Sequence, residues 1–161
     1  MMTRELAAEG LWRFSLMVYA RPGVAGALIG LQDRSGHNVN LMLFGLWLGL
    51  CEATRLDAAG LARAKTAIGR IVRDVVAPLR QLRRALRADP DPDIHALRQR
   101  VLALEIAAER RAQARLAASV RRGGALGDSR HALAGGNLRQ ILGDDFESEE
   151  GVLLRRTIAA F

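Results

Sequence analysis

The sequence predicts an all-α protein, a compact bundle of about five main helices with a long antiparallel hairpin between the fourth and fifth and a short helical tail. Three observations predict it. Half of the residues are apolar but only 4% are aromatic, and Ala, Leu and Arg, good helix formers, dominate. No stretch alternates apolar and polar residues in the manner of a strand. Apolar residues recur in steps of three and four through residues 57–88 and again through 94–122. A chain of 161 residues is long enough for one domain with a real core. We divide it into a helical bundle over residues 1–124 and a tail over 125–161, which belongs to the same domain or docks on it loosely.

The first helix is expected over residues 4–19, capped by Thr3, with Leu6, Leu11, Phe14, Met17 and Val18 as its apolar face and Trp12 broadening it. Pro22 cannot continue that helix and suits the first turn of a second, residues 22–34, which Gly36 ends. Gly26 and Gly30 lie four apart on one face, which predicts close approach of a neighbouring helix there. Asn38 is placed to cap a third helix, residues 39–54. That helix is apolar nearly all round, as expected of a central, enclosed helix, and Gly45 and Gly49 are again four apart.

Asp57 starts the fourth helix, residues 57–88, with Leu61, Ala64, Ile68, Ile71, Val75, Leu79, Leu82 and Leu86 as one seam. Pro78 falls inside it and predicts a kink near residues 74–77. The DPDPD turn leads to a fifth helix over 94–122, capped by Asp93, with a seam of Ile94, Leu97, Val101, Leu104, Ala108, Ala112, Leu116 and Val120. Gly123 and Gly124 end it. In the tail, Asn137 is read as the cap of a short helix to residue 142, and Ser148 as the cap of a last helix to residue 160.

Composition excludes several functions. The run Leu-Met-Leu-Phe-Gly-Leu-Trp-Leu-Gly-Leu-Cys at residues 41–51 spans about 16 Å as a helix, against roughly 30 Å of hydrocarbon, so no membrane span is expected. The N-terminus lacks the pattern of a signal peptide. Cys51 is the single cysteine, which rules out an intramolecular disulfide and fits a buried thiol in a reducing, cytoplasmic setting. No HxxxH, CxxC, HExxH, phosphate loop or GxSxG pattern is present, so no metal, cofactor or catalytic residue is assigned.

The stretch LWRFSLMVYARPGVAGALIGLQDRSGHNVNLMLFGLWLG, residues 11–49, resembles the leading segment of a proteobacterial family, domain of unknown function 2390. The shared pattern is an aromatic-rich first helix, then VYA-x-PGV, then LQD-x-x-G-x-x-VNLLLF-x-x-WL. The resemblance extends weakly into VVAPLRQLRRALR, residues 75–87, and the stretch around Glu105 and Glu109. Asn38 departs from an expected Asp, which leaves a capping role intact. The resemblance implies a small bacterial cytosolic protein and brings no activity, cofactor or catalytic residue with it.

Two surfaces are candidates. At 100° per residue, Arg73, Arg80, Arg83, Arg84 and Arg87 fall within about 100° of arc on the fourth helix. Residues 57–88 carry eight bases and two acids, most of the formal net charge of +7. This predicts a basic face for a protein partner or an anionic surface. The bland alternative is a solvated face in an Arg-rich chain, whose 24 basic residues include Lys65 as the only lysine. Sequence-specific DNA reading is not expected, because no aromatic residues interleave and no helix-turn-helix is formed. The second candidate is the turn bearing Asp33, His37, Asn38 and Asn40, which could bind a ligand but reads more simply as satisfying backbone groups at the two helix ends. The aromatic and Met residues of the first three helices could line an apolar pocket but read more simply as core. The expected function is therefore a non-enzymatic adaptor or regulatory interaction module, with a homodimer as one form of it. The alternative is a small-ligand-binding protein or enzyme with its site at the turn.

Overall fold

The computed structural model describes residues 4–124 and 127–161, and the predicted Thr3 cap and the start of the tail at Ala125 lie outside them. The described residues are helical, with no strand. Helix α1, Arg4–Tyr19, buries Ala7, Leu11, Phe14 and Val18 together with Ser15. Leu6 and Met17, expected inside, are exposed, because the buried stripe follows the 7-11-14-18 spacing and leaves them on its flanks. Gly23 adopts a left-handed φ of 78° before α2, Val24–Ser35, and Gly36 closes α2 at φ 74°, donating its N–H to Gln32 O.

The Asn38 side chain accepts from Leu41 N at 3.0 Å and starts α3, Val39–Leu50, as the sequence predicts. Residues 40–49 of α3 are all buried, so it is the central helix. Its closest neighbour is α7, Arg130–Leu142, which begins at the Ser129 cap. The two approach so closely that a Cβ on Gly49 would lie 2.2 Å from Ala134 N, and one on Gly45 2.5 Å from the Ile141 side chain. The glycine pair predicted to permit a helix crossing does so here. Of the other pair only Gly30 has a close neighbour: a Cβ there would lie 3.2 Å from Glu150 Oε1, whereas one on Gly26 would meet nothing within 4 Å.

Asn137 is not a cap. It lies in the middle of α7 and is fully enclosed, donating to Gly45 O at 3.0 Å and Thr54 O at 2.9 Å and accepting from Leu56 N at 2.6 Å. It thus satisfies backbone groups that the end of α3 and the following loop would otherwise bury unpaired. A 3-10 turn, Gly143–Glu147, leads to α8, Glu149–Ala159, whose Ser148 cap accepts from Gly151 N as predicted. Helix α8 packs along α2, where Arg34 pairs with Glu150 at 2.5 Å.

The predicted fourth helix is two helices. Asp57 caps α4, Ala58–Ile71, and a π turn at Val72–Val76 separates it from α5, Ala77–Ala85. Pro78 stands one position inside α5 and supplies no N–H to the ladder, so the break falls just before it, close to the predicted kink. A π turn holds one residue more than an α turn, so all that follows is rotated by roughly 100°. The seam moves accordingly: Val76 is buried and Val75 is exposed. Helix α6, Pro92–Ser119, begins with Asp91 as its cap and not Asp93, because Pro92 occupies the first helical position. It ends at Ser119, three residues before the predicted end, and Gly123 and Gly124 follow with positive φ. Arg98 donates to Arg83 O, and Arg80 reaches Glu105 and Glu109, so α5 and α6 run antiparallel.

Candidate functional site: a charged cavity between five helices

The rotation at the π turn decides where the arginines go. Arg80 and Arg83 point from α5 into the fold, each with 21% of its side chain exposed. The face of α6 that meets them is polar. Glu105, Glu109 and Gln113, spaced i, i+4 and i+8, form one stripe, and Leu104, expected inside, is exposed.

Arg83 holds Glu105 through Nε to Oε2 at 2.5 Å and Nη2 to Oε1 at 3.2 Å. Arg80 is spread over three acceptors: Glu105 Oε1 at 3.1 Å, Glu109 Oε1 at 2.6 Å and Gln32 Oε1 of α2 at 2.9 Å. The Glu105 side chain is only 5% exposed. Burial pushes its carboxyl up, but the Arg83 and Arg80 guanidiniums outweigh this and hold it below the usual value. The same pair raises Arg83, chiefly through its hydrogen bond to Glu105.

Beyond the ion pairs the stripe continues into neutral groups. Asn40 of α3 donates to Glu109 Oε2 at 3.4 Å, and Gln113 Nε2 donates to Asn40 Oδ1 at 2.9 Å and to Ser15 Oγ of α1 at 3.0 Å. Gln113 is 2% exposed, and its Oε1 is buried with no hydrogen-bond partner.

These groups line a half-open cavity of about 220 Å³ between α1, α2, α3, α5 and α6. Its apolar wall comes from Leu16, Ile29, Val39 and Leu43, and Trp12 and Tyr19 stand on the α1 side. Burial raises the Tyr19 hydroxyl, assisted by Glu109. Arg84 stands at the rim and pairs with Asp33 at 3.3 Å. A buried ionic network is poor value for stability, since well-packed apolar residues commonly do as well or better. Its presence around a cavity is the pattern expected of a binding site.

The two sets of residues singled out from the sequence are therefore partly one set. Arg80, Arg83 and Arg84 from the basic arc and Asn40 from the turn all line the cavity. Arg73, within the π turn, is turned away from them and pairs with its neighbour Asp74 at 2.7 Å, and Arg87 is exposed. The turn residues diverge. Asn38 caps α3, Asp33 reaches Arg84, and His37 Nε2 lies 2.8 Å from Asp145 Oδ2. That contact ties the turn to the 3-10 segment and, with a Ser35 hydrogen bond, lowers the Asp145 carboxyl. Asp33 and Asn40 are thus engaged by charged and amide groups and partner neither tryptophan nor Tyr19. Among the described residues no group of three or more His, Cys, Asp or Glu side chains could hold a metal ion. Cys51 is exposed and not buried as expected, because α3 ends at Leu50 and the chain turns away there; partial burial and Glu52 raise its thiol.

Glu105, Glu109 and Gln113 escaped the sequence reading as site residues. The signal was a polar i, i+4, i+8 row on a helix whose apolar seam offers only alanine and leucine beside it.

Fold and site together define a small all-α protein with an internal, charge-lined cavity. Residues 10–116 match the family described as Protein of unknown function (DUF2390), and the chain belongs to that family. Every residue lining the cavity lies within the matched segment, whereas α7 and α8 lie outside it. No curated protein and no solved structure matches the chain. Among the described residues no single helix is long and apolar enough to cross a membrane.

Proposed function

We propose that the protein binds a small polar molecule in the cavity between α1, α2, α3, α5 and α6, as a ligand-sensing or ligand-carrying protein of the bacterial cytoplasm. One observation carries this reading: the Arg80, Arg83, Glu105, Glu109 and Gln113 network is withdrawn from solvent and arranged around open space. Ligand sites combine apolar walls with a few convergent polar groups, and this cavity has both. Ile29 lines it and is partly exposed, so Ile29→Trp fills it without disturbing the core. A thermal-shift screen of metabolites against the native chain and Ile29→Trp tests the proposal. Compounds that raise the melting temperature of the first and not of the second support it. Stabilisation that survives Ile29→Trp places binding elsewhere.

A second reading, an interaction module, is favoured by the α5–α6 hairpin. Helix α5 has no fully buried residue, and Val75, Leu82, Leu97 and Leu104 are exposed along the pair. Such a surface suits a protein partner or a second copy of the chain, with Arg87 as an exposed cation beside it. Size-exclusion chromatography with light scattering checks the homodimer form of this reading: Leu104→Arg shifts a dimer to monomer, and a monomer at all concentrations removes that form.

A further inference from the structure

We infer that the ligand of this cavity is a small monocarboxylate with an apolar or aromatic tail, its carboxylate held by Arg83 and Arg84. The inference rests on the cavity reading above and follows from the charge and the hydrogen-bond donors that the protein leaves unspent around the space.

The lining carries three arginines, Arg80, Arg83 and Arg84, against two glutamates, Glu105 and Glu109, which leaves one positive charge. The glutamates are spent within the wall. Glu105 is 5% exposed and accepts from both Arg80 and Arg83, and Glu109 accepts from Arg80 and Asn40. The arginines are not all spent. Arg80 gives Nε, Nη1 and Nη2 to protein acceptors, but Arg83 gives only Nε and Nη2, both to Glu105. Its Nη1 makes no hydrogen bond among the described residues and is open to solvent. Arg84 gives only Nη2, to Asp33, at 3.3 and 3.4 Å. Asp33 is not part of the lining, and the pair is half-exposed at both ends, so it contributes little and exchanges readily. Gln32 adds a donor, because its Oε1 takes Arg80 and its Nε2 has no partner among the described residues. The acceptor left over in the wall, Gln113 Oε1, is sealed from solvent.

Charge and shape select the ligand. A monoanion matches the one surplus positive charge of the lining. A dianion would bring a second negative charge against Glu105 and Glu109, and a cation would add to the surplus. A carboxylate is planar and fits the fork of a guanidinium, and such charge-assisted hydrogen bonds are the strong ones. In binding, it takes Arg84 over from Asp33 and gives Arg83 Nη1 its acceptor. Leu16, Ile29, Val39 and Leu43 supply the surface for the tail. A cavity of about 220 Å³ is below the range of about 300–1,000 Å³ typical of drug-sized ligands, which limits the molecule to roughly one small ring and its substituent.

Four probes built on one ring separate the possibilities: benzoate, benzamide, benzylammonium and phenyl phosphate as the dianion. Affinities are measured by amide chemical-shift titration of the full chain, with Ile29→Trp as the blocked cavity. Salt is present throughout to screen exposed arginines elsewhere. Benzoate is expected to bind roughly ten-fold or more tightly than each of the other three, with shifts around Arg83 and Arg84 that vanish in Ile29→Trp. Arg84→Gln, at the half-exposed rim, is expected to weaken benzoate roughly ten-fold and to leave benzamide unchanged. Asp33→Asn, which frees Arg84, is expected to tighten benzoate. The comparison of the four probes needs no variant, so it stands even if Arg84→Gln fails to fold. Equal or tighter binding of benzamide, benzylammonium or phenyl phosphate overturns the ligand class, and its loss in Ile29→Trp would still uphold the cavity as the site. Benzoate binding that is unchanged in Arg84→Gln overturns the placing of the carboxylate. Binding that persists in Ile29→Trp overturns the cavity reading itself. No shift by any probe at millimolar concentration overturns the ligand class and leaves the cavity to the metabolite screen.

Discussion

Arg83 Nε lies 2.5 Å from Glu105 Oε2, across the interface of two helices whose facing surfaces the sequence pattern reads as apolar. This pair, with Arg80, replaces a leucine seam by an ionic one at the inner end of the α5–α6 hairpin. Removing one partner leaves a buried charge alone. Glu105→Ala is therefore expected to destabilise the fold by about 3 kcal/mol. The triple replacement Arg80→Met, Arg83→Leu, Glu105→Leu is expected to recover most of that loss, measured by urea denaturation. If the triple variant is no more stable than Glu105→Ala, the network is there for stability.

The same carboxylate sets a pH dependence. Glu105 is held below the ordinary value of 4.5 in the folded chain, because its two arginines outweigh the effect of burial. On acidification the unfolded chain takes up this proton first. The contribution is thus complete above about pH 4.5 and is lost as pH falls through the lower folded value. Stability of the native chain should fall more steeply below pH 4.5 than that of the triple variant, as read from unfolding midpoints across pH 3 to 6.

Two glycine substitutions should have opposite signs. A Cβ at Gly49 would meet the Ala134 backbone at 2.2 Å, so Gly49→Ala must push α7 off α3 and should cost about 3 kcal/mol or prevent folding. Gly26 is exposed, within α2, and free of neighbours, so Gly26→Ala should stabilise by about 0.5–1 kcal/mol through helix propensity alone. Thermal unfolding of the two variants checks both.

Asn137→Leu should cost about 3 kcal/mol, because it strips partners from Gly45 O, Thr54 O and Leu56 N in a closed site. Hydrogen exchange at Leu56 N, in the loop before α4, should accelerate far more than exchange within α4. Uniform acceleration would show that Asn137 supports the whole fold and not this junction.

Much of the fold was legible in the sequence because caps and periodicity are local. Asn38, Asp57 and Ser148 each sit where a side-chain oxygen meets the N–H three residues on. The site was legible only in part. Arg80, Arg83, Arg84 and Arg87 do share one arc, but which way the arc faces depends on the extra residue of the π turn at Val72–Val76. No residue type announces that turn, and a straight-helix wheel puts the arginines outside and Val75 inside. Glu105 is hidden for the same reason, since a buried acid is recognised only when its partners on another helix are known. Asn137 reads as a cap because asparagine is among the residues favoured there, but its role here is set by contacts with residues more than 80 positions away in sequence.

The most direct test of the cavity as a binding site is a crystal structure of the chain with the compound that stabilises it most in solution. The account predicts density for that compound in the cavity between α1 and α6, among Arg80, Glu109 and Ile29. The same compound found on the outer face of the α5–α6 hairpin, with only water in the cavity, would contradict it.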